Sequence, residues 1–396
     1  MKNIFFKKEM LVVLSLALLI GCEAPSGEQD IAMPEGTSVD ADATPEQAQQ
    51  FSENLSIGWN LGNTFDAYNG YSELGAALDL ETSWCGAITT KDVIDSIRDA
   101  GFTSIRIPVS WHNHVSGDDF EINSSWMTRV NTVVDYAIED GLYVIINSHH
   151  DVDKSYYYPS DECYENSAHY VECIWSQLSE TYKDYDEHLI FEPINEPRMV
   201  GESNEWWMPA DRAKTSEGIR VINELNQVFV DTVRASGGNN ASRYLLIPGY
   251  CTSADGVLDN EFKLPEDTVA NRLLVTVHAY TPYDFALQMD GRGNFTENDK
   301  AEIERLMTSL DDKFVSNGIP VVMGEFGALD KNNLEDRIAF TEFYVQTAAD
   351  HGIPCLWWDN NAFGTSGENF GLIRRNKLEW VFPEIKDSMI SVYEEN

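Results

Sequence analysis

Two glutamates of this chain stand where paired-carboxylate chemistry is possible. Glu196 lies in Asn195-Glu196-Pro197, directly after an apolar run, and Glu325 lies in VVMGEFG at 321–327. A carboxylic acid that gives up a proton, set opposite a carboxylate that attacks carbon or activates water, is what glycosidic-bond hydrolysis requires. Other polar and aromatic groups also follow or end apolar runs: Asn63, Arg106, the pair His149 and His150, Asn195, His278, Tyr280 and Trp358. One such residue means little; a whole series carries weight if the fold gathers those ends at one mouth. Each has a plainer reading too. Arg106 also reads as a buried ion-pair partner and His278 as a hydrogen-bonded core histidine. His149-His150 also reads as a metal pair, although no third ligand stands at helical spacing.

The elements that must position these groups are legible as an alternation. Short apolar runs occur at 57–61, 104–109, 142–147, 189–194, 244–248, 273–278, 320–324 and 353–357. Most are continuous, as in parallel strands covered by helices. Helical periodicity recurs between them, at 89–100, 126–139, 170–185, 219–235, 302–315 and 334–350. In the first of these Val93, Ile94 and Ile97 share a face, and Gly101 follows as a C-cap. Eight strands separated by helices predict a closed (β/α)8 barrel, a TIM barrel with a single catalytic domain, whose strand C-termini share one mouth. Glu196 after the fourth run and Glu325 after the seventh then face each other. A doubly wound open sheet is the alternative, but its Gly-rich first turn is missing.

FEPINEPR, around Glu196, resembles the acid/base signature of glycoside hydrolase family 5, and VVMGEFG is similar to that family's nucleophile strand. Seven further stretches resemble its subfamily 4: IGWNLGNTFDA (57–67), ETSW (81–84), RIPVSWHNHV (106–115), SHHD (148–151), RYLLIPGY (243–250), VHAYTPYDFAL (277–287) and GIPCLWWDN (352–360). The likeness runs from about residue 51 to 390. It implies a retaining mechanism with Glu325 as nucleophile and Glu196 as acid, then base. Arg106 and Tyr280 would keep Glu325 ionised, and His278 would orient Glu196. Asn195 would hold the 2-hydroxyl of the sugar under attack, His149 would flank that sugar, and Trp358 would form its aromatic floor. His150 would line the next subsite and Asn63 a more distant one. The implied activity is endo-acting cleavage of β-1,4-glucan, with xyloglucan or mixed-linkage glucan as alternative substrates, no cofactor and no metal. A non-catalytic glycan-binding lipoprotein would need the aromatic platform but not both glutamates. Cys85 after ETSW, where glycine is expected, and Pro193-Ile194, where smaller residues are expected, depart from the pattern.

Among ten tryptophans, Trp59, Trp84, Trp111, Trp206 and Trp207 lie near strand ends or in early loops, open to sugar stacking or to packing. Trp175, inside a helical pattern, is expected in the core. Asp66, Asp151 and Asp359 stand near the mouth, to bind hydroxyls or to cap helices.

Residues 1–22 read as a signal peptide: Lys2, Lys7 and Lys8, then an apolar run, then Leu19-Ile20-Gly21-Cys22, which resembles a lipobox. Lipidation at Cys22 would anchor an extracytoplasmic protein; an ordinary secretion signal is the alternative. Residues 23–50, acidic and without periodicity, are expected to be a flexible tether, and 51–396 the barrel. The net charge of −39 argues against nucleic acid and anionic membrane as partners and suits a neutral polysaccharide. A monomer is expected. Export permits disulfides, and Cys163 with Cys173 is a possible local bridge among Cys85, Cys163, Cys173, Cys251 and Cys355.

Overall fold

The computed structural model describes residues 42–364 and 367–394. The signal peptide, Cys22 and most of the predicted tether lie outside the described residues. Eight parallel strands close into a barrel: β1 (Ile57–Leu61), β2 (Ser104–Ile107), β3 (Tyr143–Asn147), β4 (Leu189–Glu192), β5 (Leu245–Ser253), β6 (Leu273–His278), β7 (Val321–Phe326) and β8 (Cys355–Asp359), with β8 pairing back onto β1. The expected fold is thus found. Pro108 and Pro193 follow β2 and β4 and end them before the predicted limits, since proline cannot donate to the ladder.

Helix α1 (Pro45–Asn54) precedes the barrel. The outer ring comprises α2 (Lys91–Asp99), α3 (Ser124–Glu139), α4 (Tyr164–Tyr182), α5 (Arg212–Ala235), α6 (Glu297–Lys313), α7 (Leu334–Asp350) and the closing α8 (Pro383–Glu394). Only a five-residue helix, Ala254–Leu258, links β5 to β6.

Strand alternation sorts the side chains. Trp59, Ile105, Ile107, Val144, Ile146, Phe191, Val275, Val277 and Met323 face outward into the main core under the helices. Ile145, Ile190, Leu246, Leu274, Val322 and Leu356 face inward and fill the barrel floor together with Ala48 and Phe51 of α1. Next to them Gly58 leaves room: a Cβ there would lie 2.4 Å from Ser104 Oγ and 2.5 Å from Leu356 Cγ.

Two expectations are corrected. The folded body does not begin at 51. Thr44 caps α1 with Gln47 in a capping box, and Ala43 bonds the backbone of Ala270, so the predicted tether ends before residue 43. Cys163 and Cys173 are both free thiols. Cys163 caps α4 and Cys173 lies ten residues along the sequence, about 15 Å of helix, far beyond the reach of a disulfide.

Candidate active site

The second inward layer carries the chemistry. Asn60, Arg106, Asn147, Glu192 and Thr276 point into the barrel directly above the apolar floor, and all are buried. Arg106 is the hub. Its Nε donates to Glu192 Oε2 at 2.7 Å, Nη1 to Asn60 Oδ1 at 3.0 Å and to Glu325 Oε1 at 2.7 Å, and Nη2 to Asn195 Oδ1 at 2.7 Å. Burial opposes its charge, but Glu192 and Glu325 more than compensate and raise its proton affinity. Arg106 is thus the buried ion-pair partner of one reading, and one of its partners is Glu325.

Glu325 owes its aim to an irregularity. Met323 pairs with Cys355 and Phe326 with Trp357, so β7 carries one more residue than β8 across that step. Met323 and Phe326 both pack outward. The extra residue is a bulge that turns Glu325 into the mouth. Gly324 makes the bulge possible, because a Cβ there would meet Thr276 Oγ1 at 2.8 Å. Tyr280 OH donates to Glu325 Oε2 at 2.9 Å.

Glu196 projects from the loop after β4. Its Oε1 lies 3.0 Å from His278 Nδ1. The Thr252 hydroxyl bonds Asn195 O, Cys251 N donates to Pro197 O at 2.8 Å and Asn195 N to Ser148 O at 2.8 Å, so this loop is pinned on three sides. Oxygens of Glu196 and Glu325 and a ring nitrogen of His278 lie within 4.8 Å of one another. That closeness suits the roughly 5–5.5 Å carboxyl separation of retaining glycosidases and not the roughly 6.5–9.5 Å of inverting ones.

The charge on this pair follows from the donors. Burial raises the proton affinity of both. For Glu196 the His278 hydrogen bond and the charges of His278, Arg198 and His150 turn the balance downward. For Glu325 burial and repulsion by Glu196 prevail over His278, Arg106 and Tyr280. Glu325 keeps a guanidinium and a hydroxyl as fixed donors, one on each oxygen, whereas Glu196 has its one close partner at Oε1.

His149 is fixed just as firmly. Asn147 Oδ1 accepts from Val109 N at 3.1 Å, so its amide nitrogen faces Glu192 Oε2 at 2.9 Å and His149 Nδ1 at 3.2 Å. His149 Nδ1 therefore accepts, and Nε2 holds the proton toward the mouth. Burial, with the charges of His150 and Arg106, keeps its proton affinity far below the ordinary range. Trp358 lies parallel to it, with centroids 5.8 Å apart and planes at 4°. Gly62 backs Trp358, where a Cβ would lie 2.8 Å from the indole. His150 and Asn63 are both half-buried, and Asn63 adopts a left-handed conformation with φ 57°.

Two clusters of metal-ligating type exist among the described residues: Asp66 with His149 and His150, and Glu196 with His278 and Glu325. The third ligand absent at helical spacing is thus supplied from a distant loop. Neither cluster suits an ion. His149 has one nitrogen engaged by Asn147 and the other protonated, and Glu325 already has Arg106 as its cation.

Hydrogen bonds and ring contacts join the predicted site residues other than Asn63, which is tied in only through its backbone N–H, donating to Asp66 Oδ2 at 3.0 Å. The other candidates divide. Trp84, Trp206 and Trp207 are exposed, at 43%, 61% and 66%. Trp59 and Trp111 are fully buried: Trp59 faces the helices, and Trp111 Nε1 donates to Asn147 O. Asp151 binds the backbone N–H groups of Trp111 and His112, and Asp359 those of Asn361, Leu372 and Ile373, so both hold loops in place. Glu192 was not anticipated. Its signal was a charge at an inward position within an apolar strand.

With this geometry in hand, comparison with known proteins is decisive. The family model for cellulases of glycosyl hydrolase family 5 matches residues 69–364. Endoglucanase B of Ruminococcus albus is 42% identical over 92% of this chain and 85% of its own length. The chain belongs to glycosyl hydrolase family 5. Among solved structures, this family 5 chain is similar to a lichenase from Caldicellulosiruptor sp. F32, with 48% identity, TM-score 0.84 and coverage of 90% and 98% of the two chains. It is also similar to a GH5-4 broad specificity endoglucanase from Ruminococcus champanellensis with bound cellotriose, with 42% identity, TM-score 0.82 and coverage of 88% and 99%. The subfamily is the one the sequence motifs implied.

Proposed function

We propose that this family 5 endoglucanase cleaves β-1,4-glucosidic bonds by double displacement, with Glu325 as nucleophile and Glu196 as acid, then base. The observation that carries the assignment is the pair itself, with oxygens within 4.8 Å, one carboxyl held by Arg106 and Tyr280 and the other by His278. Glu325 attacks the anomeric carbon as that carbon's bond to the leaving oxygen breaks. The departing electron pair takes the proton of Glu196. Water then gives a proton to Glu196, its oxygen bonds the anomeric carbon, and Glu325 is released. Asn195, its oxygen fixed by Arg106, turns its amide N–H toward the 2-hydroxyl; His149 Nε2–H flanks the same sugar over the Trp358 floor.

The roles are tested with Glu325→Ala and Glu196→Ala. Neither should turn over soluble glucan. Glu196→Ala should keep measurable glycosylation of an aryl cellobioside with a good leaving group, which needs no acid, whereas Glu325→Ala should not. Equal turnover of wild type and Glu325→Ala would remove the nucleophile assignment. Broad β-glucan specificity is supported by a lichenase and broad specificity endoglucanases among similar structures. Parallel rates on carboxymethyl cellulose, lichenan and xyloglucan decide among substrates.

The anchoring is read from sequence. Cys22 is lipidated, and the enzyme works outside the cytoplasm as a membrane-tethered monomer on neutral polysaccharide. Cys22→Ala should release it from the membrane fraction, and unchanged retention would count against the anchor.

A further inference from the structure

Arg198 is the second guanidinium at the mouth, and nothing in the two-carboxylate mechanism uses it. It follows Glu196-Pro197 on the same loop. Its Nη1 donates to Glu196 O at 3.0 Å and lies 3.9 Å from Glu196 Oε2. Its Nε donates to Glu205 Oε1 at 3.3 Å. Its guanidinium lies over the Trp206 ring, 3.9 Å from the centroid. Glu205 in turn ties the loop, accepting Gly201 N at 2.8 Å through its other oxygen. The Trp206 ring that carries this guanidinium is itself well exposed.

We propose that Arg198 is a positioning residue for Glu196: clamped between Trp206 and Glu205, it is the lever that sets how the acid/base carboxyl is held and charged. This rests on the reading of Glu196 as acid/base. The guanidinium is planar and weakly hydrated, so it can stack on an indole and bond at its edge together. A lysine in its place has no such face. At 3.9 Å a full positive charge favours the ionised form of Glu196 and so eases proton release to the leaving oxygen. Glu205 partly neutralises that charge, so the loop carries both the accelerator and its damper.

Other groups face Glu196 as well. His278 comes from β6 and Glu325 from β7, with Tyr280 beyond β6, while His150 follows β3 and Cys251 lies in the irregular end of β5. All of these side chains stay in place when Arg198 or Glu205 is exchanged, while His150 feels the Arg198 charge and Cys251 both charges. The two exchanges remove one charge and its counter-charge in turn.

The experiment compares Arg198→Met, Arg198→Lys and Glu205→Gln with wild type, with folding checked by thermal melts. Each is assayed as kcat/KM against pH on carboxymethyl cellulose and on an aryl cellobioside with a good leaving group. Arg198→Met should move the alkaline limb upward by about 0.5–1 pH unit on the glucan, because Glu196 then holds its proton more tightly. It should slow the glucan severalfold more than the aryl substrate. Arg198→Lys should restore part of the limb. Glu205→Gln should move the limb the opposite way, and it keeps the test alive if Arg198→Met does not fold. Alkaline limbs unmoved in both Arg198→Met and Glu205→Gln would overturn the proposal, as would equal losses on both substrates. Glu196→Gln serves as the control: if it left the alkaline limb and glucan turnover intact, the acid/base reading itself would fall, independently of Arg198.

Discussion

Glu192 offers the most direct test of how the site is charged. It is fully buried and shares Arg106 with Glu325, each carboxylate 2.7 Å from a guanidinium nitrogen. Glu192→Gln removes the charge and little else. The amide oxygen can take the place of Oε2, accepting from Arg106 and Asn147, while the amide nitrogen turns to the Thr276 hydroxyl, now 3.2 Å from Oε1. The lost attraction is on the order of 4 kcal/mol at about 4 Å and an effective dielectric of about 20. Relief of carboxylate desolvation and of repulsion by Glu325 offsets part of that. A net loss of about 2 kcal/mol remains. At about 2.1 cal/mol/K per residue over a barrel of this size, Tm falls by about 3 °C. The catalytic consequence has a definite sign. Arg106 then serves Glu325 alone, and one source of repulsion is gone, so Glu325 ionises more readily. The acid limb of kcat/KM should move down by about 1 pH unit. The assay is a pH profile on soluble glucan beside a thermal melt. An acid limb that stays in place or moves upward would refute the claim that the two glutamates compete for one guanidinium.

Tyr280→Phe deletes a hydrogen bond to a charged oxygen, worth about 1.5–3 kcal/mol. It should lower kcat by about 10–100-fold and, because Tyr280 favours ionised Glu325, raise the acid limb; an unchanged profile would argue against its role. His114 is buried against Trp126, with ring centroids 3.6 Å apart, and burial lowers its pKa to about 4. The unfolded chain binds that proton near pH 6.5, so the contribution is whole above about 6.5 and is lost as pH falls toward 4, by about 3 kcal/mol in all. His114→Phe should flatten this acid loss of Tm, and an identical slope would disprove it. Gly324→Ala should abolish turnover while leaving a folded barrel, since a methyl group there meets Thr276 and His278; normal kcat in that variant would contradict the bulge argument.

The barrel was legible because its strands are continuous apolar runs and its helices keep a regular period. Arg106, His278 and Tyr280 were legible because each stands where a run ends. What escaped notice follows from period two. Trp59 looked like a sugar platform by position, but it shares parity with Ile57 and Leu61 and so faces the helices. Glu192 shares parity with Ile190 and so faces the centre, a placement obscured by the surrounding apolar residues. Glu325 could not be aimed by counting at all, because a bulge resets parity between Met323 and Phe326. Helix α1 was missed because its composition matches the acidic segment before it; only Thr44 with Gln47 marked its start. The ring tautomer of His149 depends on Asn147, whose own orientation is fixed by Val109 far away in sequence.

Asp42 and Ala43 bond the backbone of Ala270, just before β6 begins, at the end of the strands remote from Glu196 and Glu325. Residues 42 and 43 therefore lie at the pole opposite the two carboxylates. A fusion partner, bead or linker attached there should leave long chains free to thread past the opposite pole, which makes this the natural handle for immobilising the catalyst.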